Sequence, residues 1–419
     1  MRPLGLYLHI PFCKAKCIYC DFYSLPHSEE KMDAYTAALV RHLEEVAPRA
    51  AGMQVDTVYF GGGTPSYLGV SRLTRLLQTV LRRYDVARGA EITLEANPDS
   101  AGDWRELRKL RRAGFNRLSL GVQSTDDALL RRIGRVHTYE QVQQAVTAAR
   151  KAKIENLSLD LIYGLPDQTM EDWQRTLADA VALGPEHLSC YGLKVEEGTP
   201  LWQQRQQLTL TDDDAQADMY SYAAEMLERY GYKQYEISNF AAPGYESKHN
   251  LKYWNMDDYM SFGPGAHSCI GNVRYSFVKD LKQYIYGVHK KISIVDEYEQ
   301  IDPLERAVEY VMLGMRTSRG ISEHDYRLRC QCDWKPILKV LQAFKEKRWV
   351  ELTEDRWHFT VPGFLISNTL IGIMLETQAS GRIDSTPWMQ DADRAAYKIS
   401  LPKGEEELFA ELYEQKMNQ

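Results

Sequence analysis

Residues 4–20 read LGLYLHIPFCKAKCIYC, a mostly apolar run up to Ile10 that breaks at Pro11 and opens into three cysteines, Cys13, Cys17 and Cys20. The run predicts a β-strand, with the cysteines on the loop leaving its C-terminal end. The same plan repeats downstream. Candidate strands at 55–60, 91–96, 117–122, 157–162 and 187–193 alternate with amphipathic segments near 31–47, 71–84, 103–113, 138–152, 171–183 and 212–230. Such alternation reads as βαβ units and a parallel sheet. Six units are fewer than the eight of a closed (βα)8 barrel, so the expectation is an α/β fold with a partial (βα)6 barrel over residues 1–235.

The chain has 419 residues, too many for one ordinary core. Lys and Arg number 51 against 58 Asp and Glu, a net charge of −7, which gives a polyanion no global reason to bind, and no nucleic-acid partner is expected. The most apolar stretch, 364–375, falls short of the ~20 residues that span a bilayer. The first residues show no apolar core followed by a small-residue cleavage site, so no secretion signal is expected. The seven cysteines, three of them within 13–20, make a poor disulfide framework and a good metal or redox cluster. That usage implies a reducing, cytoplasmic setting.

The unusual residues gather where such a sheet does its chemistry, at the C-terminal ends of strands. Gly61, Gly62, Gly63, Thr64 and Pro65 follow the second strand, Glu95 lies late in the third, Gln123 ends the fourth and Asp160 lies in the fifth. For the cysteines, structural zinc would want a fourth ligand, and the nearest candidates, His9 and His27, stand at no familiar spacing. A [4Fe–4S] cluster on three thiolates leaves one iron open and is the favoured alternative.

The spacing Cys-x3-Cys-x-Tyr-Cys, with Tyr19 in the aromatic slot, resembles the signature of the radical S-adenosylmethionine (SAM) superfamily. HIPFCKAKCIYCDF at 9–22, GGGTP at 61–65, GFNRLSLGVQS at 114–124, DLIYGLP at 160–166 and HNLKYW at 249–254 are similar to its coproporphyrinogen-oxidase-related branch. The resemblance covers roughly residues 1–375 and is nearest to the HemW-type heme chaperones. It implies a [4Fe–4S] cluster on Cys13, Cys17 and Cys20 with SAM on the open iron, where an electron donor supplies the electron that cleaves the sulfonium. It also implies SAM contacts at Tyr7, Tyr19, Gly62, Gly63, Thr64, Glu95, Gln123, Arg135 and Asp160. The glycines would allow close backbone approach and offer N–H donors. Glu95 and Asp160 would accept from ribose hydroxyls or an ammonium, Arg135 would pair with a carboxylate, and Gln123 can donate and accept.

Two readings of different class follow from the resemblance. One is an oxygen-independent coproporphyrinogen III oxidase, and the other a chaperone that binds heme and passes it to acceptor proteins. The oxidase pattern continues with a further cysteine where this chain has Phe22, and HNLKYW resembles a motif of the chaperones; both favour the second. A third reading, a heme-modifying radical SAM enzyme, belongs to a neighbouring branch. His249 is the expected heme contact, since neutral imidazole is a common axial ligand, with Tyr253 and Trp254 packing the macrocycle. His267 is the rival ligand.

Residues 236–300, rich in Tyr, Gly and Asn, read as a connecting region. Helical patterns at 304–315, 322–329 and 334–347, then a hairpin at 349–352 and 357–360, predict a winged-helix-like α+β domain over 301–375, taken as a packing module. The tail at 376–419 stays unassigned apart from a possible helix at 404–416. Cys190 reads as a buried inert thiol, while Cys269, Cys330 and Cys332 have no evident partner.

Overall fold

A computed structural model describes residues 1–330 and 333–384; the possible helix at 404–416 and Cys332 lie outside the described residues. Six strands, β1 (Arg2–Ile10), β2 (Met53–Gly62), β3 (Val86–Ala96), β4 (Arg117–Gln123), β5 (Asn156–Tyr163) and β6 (His187–Gly192), pair in parallel in chain order. The helices α1 (Met32–Val46), α2 (Val70–Arg83), α3 (Trp104–Ala113), α4 (Tyr139–Lys151) and α5 (Met170–Ala182) make the crossovers, and α6 (Asp213–Arg229) follows β6. Their starts are chemically marked: Asp103 caps α3, and Thr138 and Thr169 open α4 and α5 with capping boxes.

Parallel strands covered on both faces usually read as unbroken apolar runs. Here one face is polar. Leu6 and Leu8, Val58 and Phe60, Ile92 and Leu94, Leu118 and Leu120, Leu157 and Leu159, and Leu188 are buried in one core cluster with the helices. The alternate positions are Tyr7 and His9, Thr57 and Tyr59, Glu91 and Glu95, Arg117 and Ser119, Ser158 and Asp160, and His187 and Ser189. These meet one another across the opposite face, the lumen, through hydrogen bonds such as Tyr59 to Glu95, Ser119 to Asp160 and Ser158 to His187. Period two thus sorts the sheet into a dry side that holds the fold and a polar side whose groups are mostly buried and hydrogen-bonded to one another.

The sheet does not stop at six strands. Beyond β6 lie the antiparallel strands Asn239–Ala241 and Lys233–Glu236, and beyond β1 a seventh parallel strand, Tyr259–Phe262, continued antiparallel by His267–Ile270, Val273–Phe277 and Val295–Gln300. The total is twelve strands in a mixed, open sheet. The stretch 236–300, expected as a connector, therefore supplies strands to the main sheet. Four-residue runs such as YMSF and HSCI are too short to show a period. The same stretch contains α7 (Lys248–Trp254), which carries HNLKYW.

The remaining chain has its own core. Helices Pro303–Gly314, Glu323–Cys330 and Lys335–Glu346 and the hairpin Val350–Thr353 with Arg356–Phe359 occur as expected. Ile321–Ser322 adds a short strand to the hairpin, and Ser367–Asp384 a final helix. Trp334, Ile337, Leu341, Trp357 and Phe359 pack together with Tyr220 of α6. The joint to the sheet is backbone hydrogen bonding, Ile237 N–H to Arg316 O at 2.9 Å and Ser318 N–H to Tyr235 O at 3.0 Å. Among the described residues no helix is long and apolar enough to cross a membrane.

Leu159 is fully buried on the dry side of β5. Leu159→Ala is expected to lower unfolding stability by about 2–5 kcal/mol, measured by urea denaturation of the metal-free protein.

Candidate functional site

The cysteine loop leaves β1 at Pro11 and is held at several points. Phe12–Cys13 pairs in parallel with Leu25–Pro26. Ile18 N–H donates to Ile133 O at 3.2 Å, and Ile18 O accepts from Leu201 N–H at 2.9 Å. Ile18 and Tyr19 pack on a small apolar cluster of Leu129, Ile133, Ile162, Leu165, Leu193 and Leu201. The loop between β2 and α2 docks on its other side, with Gly63 N–H donating to Ile10 O at 2.9 Å and Thr64 N–H to Phe12 O at 2.8 Å. A Cβ on Gly63 would lie 2.8 Å from Phe12 O and 3.0 Å from Cys13 Sγ, so only glycine fits there.

This docking changes what the glycine loop can offer. Gly62 N–H donates to Glu95 Oε2 at 3.1 Å, so the amides of Gly62, Gly63 and Thr64 are all used inside the protein. The loop gives a ligand close approach, and the expected N–H donors are taken. Gly62 also has φ 116°, which favours glycine on its own account.

A polar chain spans the loop's cysteines. Thr64 Oγ1 donates to Cys13 Sγ at 3.5 Å and accepts from Asn97 Nδ2 at 3.3 Å. Asn97 Oδ1 accepts from Arg135 at 2.9 Å, and Arg135 reaches Cys17 Sγ at 3.5 Å and Gly121 O at 2.5 Å. Gln123, at φ 67° past a register shift in β4, comes beside Arg135 because Gly121 has no side chain; a Cβ there would lie 3.0 Å from both. Tyr19, Cys17 and Arg135 also lie within mutual electrostatic reach.

Lower in the lumen stand the two carboxylates. Glu95 accepts from Tyr59 Oη at 2.7 Å and from Gly62 N–H, and burial pushes its carboxyl up to about 7, helped by nearby Asp160. Asp160 accepts from Ser189 at 2.7 Å, Ser119 at 2.9 Å and Ser158 at 3.3 Å; burial raises its pKa against these donors. Arg117, fully buried, keeps its charge raised against burial through Glu91 and other neighbours. Tyr7 lies on the same wall, ring centroid 6.1 Å from that of Tyr59 at 24°. Tyr7, Tyr59, Glu95 and Asp160 are all partly exposed to the lumen.

His249 sits elsewhere. Helix α7 plugs the lumen from the side of the strand starts, against Gly5, Thr57 and Glu91, away from the cysteine loop. Glu91 accepts from the N–H groups of Lys248 at 3.2 Å and His249 at 3.1 Å, and Lys252 pairs with Asp56 at 2.7 Å. Gly5 makes room, since a Cβ there would lie 2.7 Å from Lys252 Cδ and 3.2 Å from His249 Cε1. The His249 ring is 1% exposed, with Nδ1 hydrogen-bonded to Thr57 Oγ1 at 2.8 Å and Nε2 to Tyr253 Oη at 2.9 Å. Burial lowers its pKa to about 3, so the ring is neutral. Iron ligation would require one of these bonds to break. His267, by contrast, is exposed at the start of its strand. Sequence reasoning missed Asn97, Thr57 and Tyr59; the only local signals were their period-two spacing from Glu95 and Gly61.

The donor set fits an iron–sulfur cluster. Cys13, Cys17 and Cys20 put three thiols on one loop, the number that a [4Fe–4S] cubane takes with one iron left open. Burial raises the Cys13 thiol and pushes Cys20 up to about 11, a shift that a bound cation would oppose, since a coordinating thiol is deprotonated. Cys190 is buried and unpartnered by disulfide, as is Cys269.

An open sheet with parallel strands in chain order, bearing this cysteine loop on its C-terminal rim, defines a radical SAM protein. The family model for the radical SAM superfamily matches residues 7–180, and that for the HemN C-terminal domain matches 301–366. The chain is 35% identical to the heme chaperone HemW of Synechocystis over 402 residues, covering 89% of this chain and 97% of that one. It is 34% identical to that of Escherichia coli K12 (90% and 99% covered) and 38% to that of Mycobacterium tuberculosis (89% and 95%). The solved structure of coproporphyrinogen III oxidase HemN from E. coli superposes with a TM-score of 0.77 at 25% identity, covering 89% of this chain and 90% of that one. The chain belongs to the HemW heme chaperone family of the radical SAM superfamily.

Gly63→Ala is expected to cut bound iron and sulfide severalfold after anaerobic reconstitution, because its methyl group would press on Cys13 Sγ. Metal and sulfide analysis per chain checks this.

Proposed function

We propose that this protein binds heme and hands it to acceptor proteins, and that its [4Fe–4S] cluster and SAM are cofactors of that task. The observation that carries the reading is identity of 34–38% across 95–99% of three heme chaperones, against 25% for the oxidase. Phe22, 65% exposed, standing where the oxidase pattern has a cysteine supports the same choice. When bound, SAM and the cluster would supply one-electron cleavage of a sulfonium. Cys13, Cys17 and Cys20 would hold the cluster, with Thr64 and Arg135 donating to two of the sulfurs. Glu95 and Asp160 would accept hydrogen bonds from the ribose hydroxyls or from the ammonium of the methionine moiety, and Tyr7 and Tyr59 would wall the site from the side of α7. Tyr19 and Gln123 would complete the wall beside Arg135.

Heme titration of the anaerobically reconstituted protein, followed at the Soret band, tests the function, and conversion of coproporphyrinogen to protoporphyrinogen separates the classes. Heme binding without turnover is expected; sustained turnover would overturn the chaperone reading. His249→Ala and His267→Ala assign the axial ligand. His249 carries the family motif, while the exposure of His267 favours it as the alternative, and the variant whose Soret band shifts identifies the ligand.

Glu95 gives a pH test. With its pKa pushed up to about 7 by burial and by nearby Asp160, against the Tyr59 hydrogen bond, it is mostly protonated at pH 6 and mostly carboxylate at pH 8. SAM affinity is expected to rise about tenfold over that interval and to flatten in Glu95→Gln, read from SAM-induced changes in the electron paramagnetic resonance spectrum of the reduced cluster.

A further inference from the structure

The ring of His249 lies against the ring of Tyr59, centroids 5.1 Å apart at 25°, and Tyr7 completes the group at 6.4 Å from His249. The three rings are nearly parallel, and two of them face the lumen while the third is buried behind them. His249 cannot shift, because Thr57 and Tyr253 hold its two nitrogens and Glu91 holds its backbone N–H. Tyr59 has one polar contact of its own, the hydroxyl donated to Glu95 at 2.7 Å. The imidazole face is the nearest ring against Tyr59, with Tyr7 at 6.1 Å, and so helps to set that hydroxyl, which meets Glu95 Oε1 while Gly62 N–H meets Oε2.

We propose that His249 is a positioning residue of the SAM site, setting Glu95 through the ring and hydroxyl of Tyr59. The proposal rests on the reading of Glu95 as a SAM contact and adds a role to a residue that the family resemblance connects with heme alone. It follows that the ring face of residue 249, and not its nitrogen lone pairs, is what the SAM site uses.

SAM affinity of the reconstituted protein, measured by titrating the electron paramagnetic resonance spectrum of the reduced cluster, tests this in wild type, His249→Ala, His249→Phe, Tyr59→Phe and the double variant Tyr59→Phe/His249→Ala. Loss of an oriented donor to a carboxylate predicts affinity about tenfold weaker in His249→Ala and in Tyr59→Phe. His249→Phe, which keeps a ring face and has no ligating nitrogen, is expected to stay within about threefold of wild type. The double variant should bind no more weakly than Tyr59→Phe, because the two residues act in series. Wild-type affinity in His249→Ala, or losses that multiply in the double variant, would overturn the proposal. If wild type shows no SAM-dependent change, the SAM reading falls and takes this one with it; if wild type responds and His249→Ala responds equally, only this one falls. Iron content and thermal melting accompany each variant. Should His249→Ala not fold, Tyr59→Phe decides, and wild-type affinity there overturns the proposal.

Discussion

Everything in this molecule depends on keeping the two faces of six parallel strands chemically distinct. Leucine, isoleucine, valine and phenylalanine fill one set of alternate positions, and tyrosine, serine, carboxylates, histidine and arginine fill the other. A slip of one residue in any strand would exchange the sets, placing Glu95 or Asp160 against the helices and leucines in the lumen. The cost of such an exchange fixes the register, and the register brings Tyr7, Tyr59, Glu95 and Asp160 to one face of the sheet.

On that frame the cysteine loop is held by its neighbours more than by its own structure. Two backbone hydrogen bonds from Gly63 and Thr64, a two-residue strand pair and a patch of apolar side chains under Ile18 position it. Burial raises the thiols of Cys13 and Cys20, a shift that a bound metal would oppose. Thr64 and Asn97, just past the ends of β2 and β3, and Arg135, from the segment between β4 and α4, join Cys13 to Cys17 through their side chains. Such a chain ties the geometry of the cluster loop to that of the lumen wall.

Much of this was legible in the sequence. The six strands, their helices and the placing of Glu95, Gln123 and Asp160 on those strands appear where apolar runs and turn residues put them, because those signals are local, although Glu95 and Asp160 stand lower in the lumen than the rim. What failed to show depends on partners far apart in the chain. Tyr59 meets Glu95 across 36 residues and Thr57 meets His249 across 192, and no window of sequence contains both. The strand Tyr259–Phe262 is likewise defined by pairing with β1, not by a period of its own. The three amides of the glycine loop looked available because sequence gives donors without their acceptors. HNLKYW was recognisable as a motif, but its burial follows from Gly5, which lies more than two hundred residues earlier.

The two ends of the sheet are occupied, one by Tyr259–Phe262 and its antiparallel continuation, the other by Asn239–Ala241 and Lys233–Glu236. A ring of strands that closed on itself would have a fixed circumference, and widening it would mean tearing a ladder of backbone bonds. A sheet with separate ends carries no such limit: a change of twist spread over several strands alters its bore and leaves every ladder intact. Here the ladder ends at Val295–Gln300 on one side and at Lys233–Glu236 on the other, so no ring closure sets the width of the lumen.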